Sequence, residues 1–215
     1  MDEQILRNLL TLESEKSIGK VQIFDEIDST NSESLRQIQS GNIENRVVVA
    51  SSQTAGRGRR GRQWLSPKNA GIYLSLTRRF SMEANALQAL SLVTAISVVE
   101  ALYQLGAQGL QLKWPNDVLF EKKKLAGILL ELQHKENSRF VVFGIGVNIE
   151  LPADLLDSID RPVTDLDSIM NEPPCRVILL AALLNQLCRN LEKYEGSGFS
   201  SFEERWNGLD CYRMN

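Results

Sequence analysis

The sequence predicts an α+β fold: a mixed, largely antiparallel sheet with helices on one face. Two observations predict it. Between residues 110 and 149 short apolar runs follow one another across tight polar turns, as hairpins do, and segments with helical spacing flank them on both sides. The alternating strand–helix rhythm of a doubly wound sheet is missing.

Taken in order, Ile5, Leu9 and Leu12 stand at helical spacing and predict a short opening helix over 3–12. Val21-Gln22-Ile23-Phe24 reads as a strand. Asp28-Ser29-Thr30-Asn31 supplies cap chemistry for a helix through Gln39, stopped by Gly41-Asn42. Val47-Val48-Val49-Ala50 is a buried strand, followed by a polar loop from 52 to 70 and a further strand at Ile72-Tyr73-Leu74-Ser75-Leu76. Residues 84–105 carry Leu87, Leu90, Ala95, Val98, Val99 and Leu102 and predict a long helix. Strands follow at 110–114, 117–120, 124–133 and 139–149, with Glu121-Lys122-Lys123 and Lys135-Glu136-Asn137 as turns. Residues 152–174 read as loop with one short helix; 177–193 and 202–206 read as helices.

Composition closes off several classes of function. Of 215 residues, 43% are hydrophobic and 24% charged, enough for a core without disulfide or metal staples. Cys175, Cys188 and Cys211 are odd in number, widely spaced and without a C-x-x-C, so neither a disulfide framework nor a cysteine zinc site is expected, and a reducing compartment is. With His134 the one histidine, two-histidine metal chemistry is excluded. The start lacks the basic and apolar regions of a signal peptide, and the longest apolar run, 177–184, is 8 residues. A cytoplasmic protein with no membrane partner is expected. The net charge of −3 argues against coating nucleic acid.

Gly56-Arg57-Gly58-Arg59-Arg60-Gly61 matches G-x-G-x-x-G after a strand. In a dinucleotide site the third glycine opens a helix, whereas Arg62-Gln63-Trp64-Leu65-Ser66-Pro67 has no helical periodicity. No G-K-[ST] closes the segment, so it is not a Walker loop. Four arginines in seven residues leave three readings: a solvated loop, a nucleic-acid segment, or a local anion site in which glycines let backbone and guanidinium forks close on a small anionic ligand.

In Lys113-Trp114-Pro115-Asn116-Asp117-Val118 a proline interrupts a strand and marks an edge or bend beside an ammonium, an amide and a carboxylate. Lys124-Leu125-Ala126-Gly127-Ile128-Leu129 returns along it, and Gly144-Ile145-Gly146-Val147-Asn148-Ile149 follows in the next strand. The glycines leave a floor for a flat ligand. Singly, each cluster has a bland reading: solvated ends for Lys113 and Lys124, a bulge at Gly144 and Gly146, core packing for Trp114.

In series, D-S-T-N at 28–31, Q-T-A-G-R-G-R-R-G-R-Q-W at 53–64, K-W-P-N-D at 113–117, K-L-A-G-I at 124–128 and G-I-G-V-N at 144–148 closely resemble the signature motifs of the biotin–protein ligases. Lys113 and Lys124 stand 11 residues apart, the step that family's pattern calls for. The resemblance implies a catalytic domain related to class II aminoacyl-tRNA synthetases. It implies formation of biotinyl-5′-AMP and pyrophosphate from biotin and ATP with Mg²⁺, then transfer to a lysine of the biotin carboxyl carrier protein of acetyl-CoA carboxylase.

By the same resemblance, Lys124, Arg59, Asp117 and Lys113 are catalytic, with Asp117 positioning or deprotonating the acceptor lysine and Lys113 its charge partner. Ser29, Thr30, Gln53, Gly56, Arg57, Gly58, Arg59, Lys124 and Gly127 hold biotin. Arg57, Arg59, Arg62, Trp64, Asn116, Lys124 and Asn148 hold the nucleotide, and Asn116 lies near a phosphate-borne Mg²⁺. The catalytic domain is expected over 1–207, with 208–215 a stub where the family's SH3-like domain would begin. The 27 residues before Asp28 are too few for the helix-turn-helix domain of some members. Carrier docking and a homodimer are expected to use a sheet edge, assigned to 141–148. Lipoate or octanoate ligases of the same fold, and a biotin-binding module with impaired catalysis, are the alternatives.

Overall fold

The computed structural model describes residues 1–81, 87, 89–135, 138–159 and 161–212. One seven-stranded sheet carries the molecule, in the order β1-β2-β3-β7-β6-β5-β4. The strands are β1 (Lys20–Ile27), β2 (Arg46–Gln53), β3 (Gly71–Phe80), β4 (Leu110–Lys113), β5 (Asp117–Phe120), β6 (Lys123–Lys135) and β7 (Ser138–Asn148). Only β1 and β2 are parallel; every other pairing is antiparallel, the mixed sheet the sequence predicts.

The helices are α1 (Glu3–Leu9), α2 (Leu12–Ile18), α3 (Thr30–Gln39), α4 (Leu90–Gln104), α5 (Ala153–Ser158), α6 (Arg176–Ser197) and α7 (Glu203–Leu209). The opening segment is two helices rather than one. Thr11 accepts from the Ser14 amide and caps α2, a boundary that the apolar spacing of Leu9 and Leu12 hides. The first residues of the helix expected over 84–105, except Leu87, lie outside the described residues, as do Glu136 and Asn137 of the second turn; the described helix begins at Leu90.

Period-two alternation divides the sheet's faces. On one face Val47, Val49, Ile72, Leu74, Leu76, Val141, Phe143, Ile145 and Val147 pack with α4 and α6 into the main core. On the other face α3 covers Phe140 and Val142 with Ile38 and Leu35. The fold class stands as predicted, but α3 lies across the face opposite α4 and α6, and that second face holds the functional cavity.

One sequence expectation fails on topology. β7 lies between β3 and β6, so 141–148 is central and offers no free edge. The unpaired margin near it is on β6, whose pairing with β5 stops at Gly127 while its pairing with β7 runs on to Lys135. At the end of the described chain α7 runs on to Leu209, the Cys211 amide donates to the Leu112 carbonyl at 2.9 Å, and the Tyr212 ring lies 6.0 Å from Lys113 Nζ. Glu100 fixes this end of the chain. Its carboxylate accepts from Arg205 on α7 and from Gln186 and Asn190 on α6, each at 2.7 Å.

Candidate active site

Register explains which residues meet. Across the sheet, Tyr73, Gly146, Gly127 and Asp117 are directly paired neighbours, and so are Ser75, Gly144 and Leu129 in the next row, and Thr77, Val142 and Glu131 in the third. All face α3. The two middle glycines make the trough that the sequence predicts, and side chains of the protein already lie in it. A Cβ on Gly146 would stand 2.5–2.7 Å from three atoms of the Trp64 ring, and one on Gly144 would collide with the Asn31 carboxamide oxygen.

Lys124 reaches this face through an irregularity. Val118 pairs with Ala126 but Leu119 pairs with Lys124, so β6 holds an extra residue, Leu125, against β5. The bulge puts Leu125 and Ala126 both into the core and turns Lys124 to the side of Gly127. There Lys124 Nζ lies 2.6 Å from Asp117 Oδ1 and 5.3 Å from the Trp64 ring centroid. Burial pushes the Lys124 ammonium down from its usual range, Asp117 works against that, and the positive charges of Arg161 and Arg62 add to the lowering.

Lys113 is therefore not the partner of Asp117, although the two residues face each other in the β4–β5 register. Lys113 is exposed and its ammonium lies over Tyr212, while the partly buried Lys124 takes the carboxylate. Trp114 is 66% exposed at the rim, so core packing does not explain it either.

The uncharged end of the site is built at the start of α3. Ser29 caps the helix, and Asp28 accepts from the Ser29 amide at 2.7 Å and grips Arg36 with both oxygens. The Arg36 guanidinium holds the Asp28 carboxyl at about 2, below the usual carboxylate range. Gln53 Oε1 accepts from the Thr30 amide at 2.9 Å and the Thr30 hydroxyl at 3.2 Å, and its Nε2 donates to Ser66 at 2.8 Å.

The glycine–arginine loop folds back as a narrow hairpin, with the Gly58 amide on the Arg62 carbonyl and the Trp64 amide on the Gly56 carbonyl. Gly56 has no room for a side chain, since a Cβ there would meet the Trp64 carbonyl oxygen. Arg57 forms a bidentate pair with Glu131 at 2.8 and 3.0 Å, and Arg59 donates to Asn116 Oδ1 at 3.1 Å. The Asn116 oxygen is taken by Arg59, its nitrogen donates to the Ile128 carbonyl, and no acidic cluster stands among the described residues.

Two cavities meet at Trp64 and Lys124. One, of about 340 Å³, is lined by Ser29, Thr30, Gln53, Arg57, Arg59, Lys113, Asn116, Asp117, Gly127 and the other trough residues. The second, of about 550 Å³, has apolar walls from Leu151, Leu155, Ile159 and Val163. Arg62, Trp64, Lys124 and Arg161 border both. Asn148 borders the second; its amide is spent on the carbonyls of Thr164 and Lys124, which anchors the 161–164 segment beside Lys124. Of the residues singled out in the sequence, all but Gly56 and Asn148 line the first cavity. Sequence reasoning missed Arg161, which lies on no motif, and Glu131, whose only sequence signal is a charge at an inward position of a strand.

Fold and site together give a pocket with neutral hydrogen-bonding side chains at one end and a lysine and arginines at the other. Comparisons with known proteins narrow the class. The family model for the biotin/lipoate A/B protein ligase family matches residues 23–148, and the chain belongs to that family. It is 37% identical over 205 residues to the bifunctional ligase/repressor BirA of Salmonella typhimurium, covering 94% of this chain and 62% of that protein. It is 34% identical over 192 residues to the biotin–[acetyl-CoA-carboxylase] ligase of Mycobacterium tuberculosis, covering 87% and 69%. The biotin protein ligase of Aquifex aeolicus, solved with biotin and ATP, superposes with a TM-score of 0.73 at 31% identity over 90% of this chain and 79% of that one. The chain thus spans about three-fifths of the length of the bifunctional relative. No described helix is long and apolar enough to cross a membrane.

Proposed function

We propose that this protein activates biotin with ATP, forming biotinyl-5′-AMP and pyrophosphate, and transfers the biotinyl group to a lysine of a biotin carboxyl carrier protein. One observation carries the reading: Lys124, its side chain only 12% exposed, stands where the two cavities meet. The ureido ring, with two N–H donors and one carbonyl, suits the neutral partners Ser29, Thr30 and Gln53. The nucleotide suits the second cavity, with its apolar walls, Arg62 and Arg161. The carboxylate of one and the α-phosphate of the other then converge on Lys124.

In the first step a carboxylate oxygen attacks the α-phosphorus and pyrophosphate leaves. Two anions approach, and the Lys124 ammonium, with Arg59 and Arg62 nearby, stabilises the charge gathered between them. A preorganised donor of this kind contributes about 10²–10³ in rate. The loop over the trough excludes the water that would hydrolyse the mixed anhydride. In the second step the acceptor amine forms an amide bond with the biotinyl carbonyl, AMP leaves, and the amine's proton goes to Asp117. Its carboxylate is held at this spot by Lys124. The carrier, or a second copy of the chain in a homodimer, adds along the free margin of β6 beyond Gly127.

Biotin-dependent exchange of labelled pyrophosphate into ATP tests the first step, with lipoate and octanoate as parallel substrates. Exchange with biotin alone is expected. Exchange with lipoate or octanoate instead refutes the substrate, and binding of biotin without exchange refutes the activation step.

A further inference from the structure

Glu131 belongs to none of the motifs in the site, yet it is the point at which the loop is tied down. Its side chain is only 20% exposed and both carboxylate oxygens are used. Oε1 accepts from Arg57 Nη2 at 2.8 Å; Oε2 accepts from Arg57 Nη1 at 3.0 Å and from Asn31 Nδ2 at 2.9 Å. Asn31 is 4% exposed and lies over Gly144, where its oxygen takes a hydrogen bond from Ser75, whose hydroxyl is also 2.8 Å from that of Thr30. Thr30 in turn meets Gln53. A continuous hydrogen-bonded chain therefore runs Gln53–Thr30–Ser75–Asn31–Glu131–Arg57, from the uncharged end of the pocket to the arginine of the covering loop.

From this chain of contacts we infer that Glu131 is a positioning residue: it latches the glycine–arginine loop shut through Arg57 and links that closure to the side chains at the uncharged end of the pocket. Sheet register makes Glu131 rigid, since it sits in the middle of β6 opposite Val142 on a face covered by α3. Arg57 is on a hairpin whose backbone is bonded to the sheet only at its base, through Thr54, Ala55 and Gln53, and whose tip is held by side chains. A bidentate, charge-assisted pair is among the stronger single contacts available for that purpose. The second tie, Arg59 to Asn116, has one hydrogen bond to a neutral amide and is weaker. The latch acts on the reaction by retaining the activated intermediate, a consequence that rests on the biotin-activating reading above; the latch itself does not.

The loop's arginines supply a test independent of catalysis, because trypsin cleaves after each of them when the segment opens. Wild type, Glu131→Gln, Arg57→Gln and the double variant are digested under native conditions, and cleavage at 59–62 is followed by mass spectrometry. Each single variant is expected to be cut about tenfold faster, and the double no faster than either, because both remove the same pair. Melting temperatures report the fold separately, with Arg57→Gln at the surface as the variant that leaves the core untouched. The second readout is biotinyl-5′-AMP escaping into solution without a carrier, expected to rise in both variants by a similar factor. Cleavage at the wild-type rate in both, additive acceleration in the double, or acceleration only with a lowered melting temperature overturns the latch. If wild type forms no intermediate, the biotin reading fails while the protease comparison still decides the latch.

Discussion

Gly146→Ala puts the glycine trough to a quantitative test. The new Cβ would stand 2.5, 2.7 and 2.7 Å from Cε2, Cζ2 and Nε1 of Trp64. Ordinary carbon contacts are about 3.5–4.0 Å, so the ring must retreat by roughly 1 Å. An indole cannot bend out of the way, and the indole nitrogen is already buried without a partner. The ring therefore moves with its loop, straining Arg57–Glu131 and Arg59–Asn116. Overpacking of this kind costs about 1–3 kcal/mol. Since Trp64 sits on a surface loop and not among the α4–α6 core, most of that cost falls on the closed site.

Calorimetric titration with biotin should show affinity reduced about 5- to 150-fold, the equivalent of 1–3 kcal/mol. The melting temperature should fall by only a few degrees, at about 2–4 °C per kcal/mol for a chain of this size. In a Trp64→Leu background the same alanine should add little. Unchanged biotin affinity in Gly146→Ala, or an equal loss with and without Trp64, would refute the packing of Trp64 on Gly146.

Lys124→Gln should lower pyrophosphate exchange about 10²–10³-fold with biotin binding largely kept, read by exchange and titration side by side. Burial lowers the Lys124 pKa and Asp117 opposes this, so Asp117→Asn should move the alkaline limb of the exchange–pH profile to lower pH; a limb that stays put or moves up refutes the pairing. With its folded value below the ordinary one, Lys124 binds its proton less well folded than unfolded, and its contribution to stability should rise with pH across the window between the two values. Asp28 has the same slope for a different reason: its carboxyl is depressed from 3.8 to about 2 because the charged form gains a partner, so it stabilises above pH 4 and loses that contribution as pH falls toward 2. Both partners of the Asp28–Arg36 pair are nearly half exposed, so Asp28→Asn should cost no more than about 1 kcal/mol at pH 7 by urea denaturation, and only a small part of that at pH 2, where the folded carboxyl is about half protonated.

Fold class, most element positions and most of the side chains that line the cavity were legible in the sequence. They were legible because those signals are local: β-branched runs, the cap at Ser29, turns at Gly and Asn, and motifs whose chemistry is carried by residue type. The sequence placed Gly127, Gly144 and Gly146 on adjacent strands, which was enough to foresee a trough. Pairing and orientation were not local. Lys124 faces the site only because one extra residue in β6 reverses its side, a count that depends on β5. The same register hands Asp117 to Lys124 and leaves Lys113 on the rim with Tyr212. Strand order put 141–148 at the centre of the sheet, since hairpin neighbours in sequence say nothing of what packs on the far side, where β3 sits. Glu131 and Arg161 stayed invisible for the same reason: a charge acquires its role from its partner, and the partners of these two are brought in by the tertiary fold, Arg57 from 74 residues away.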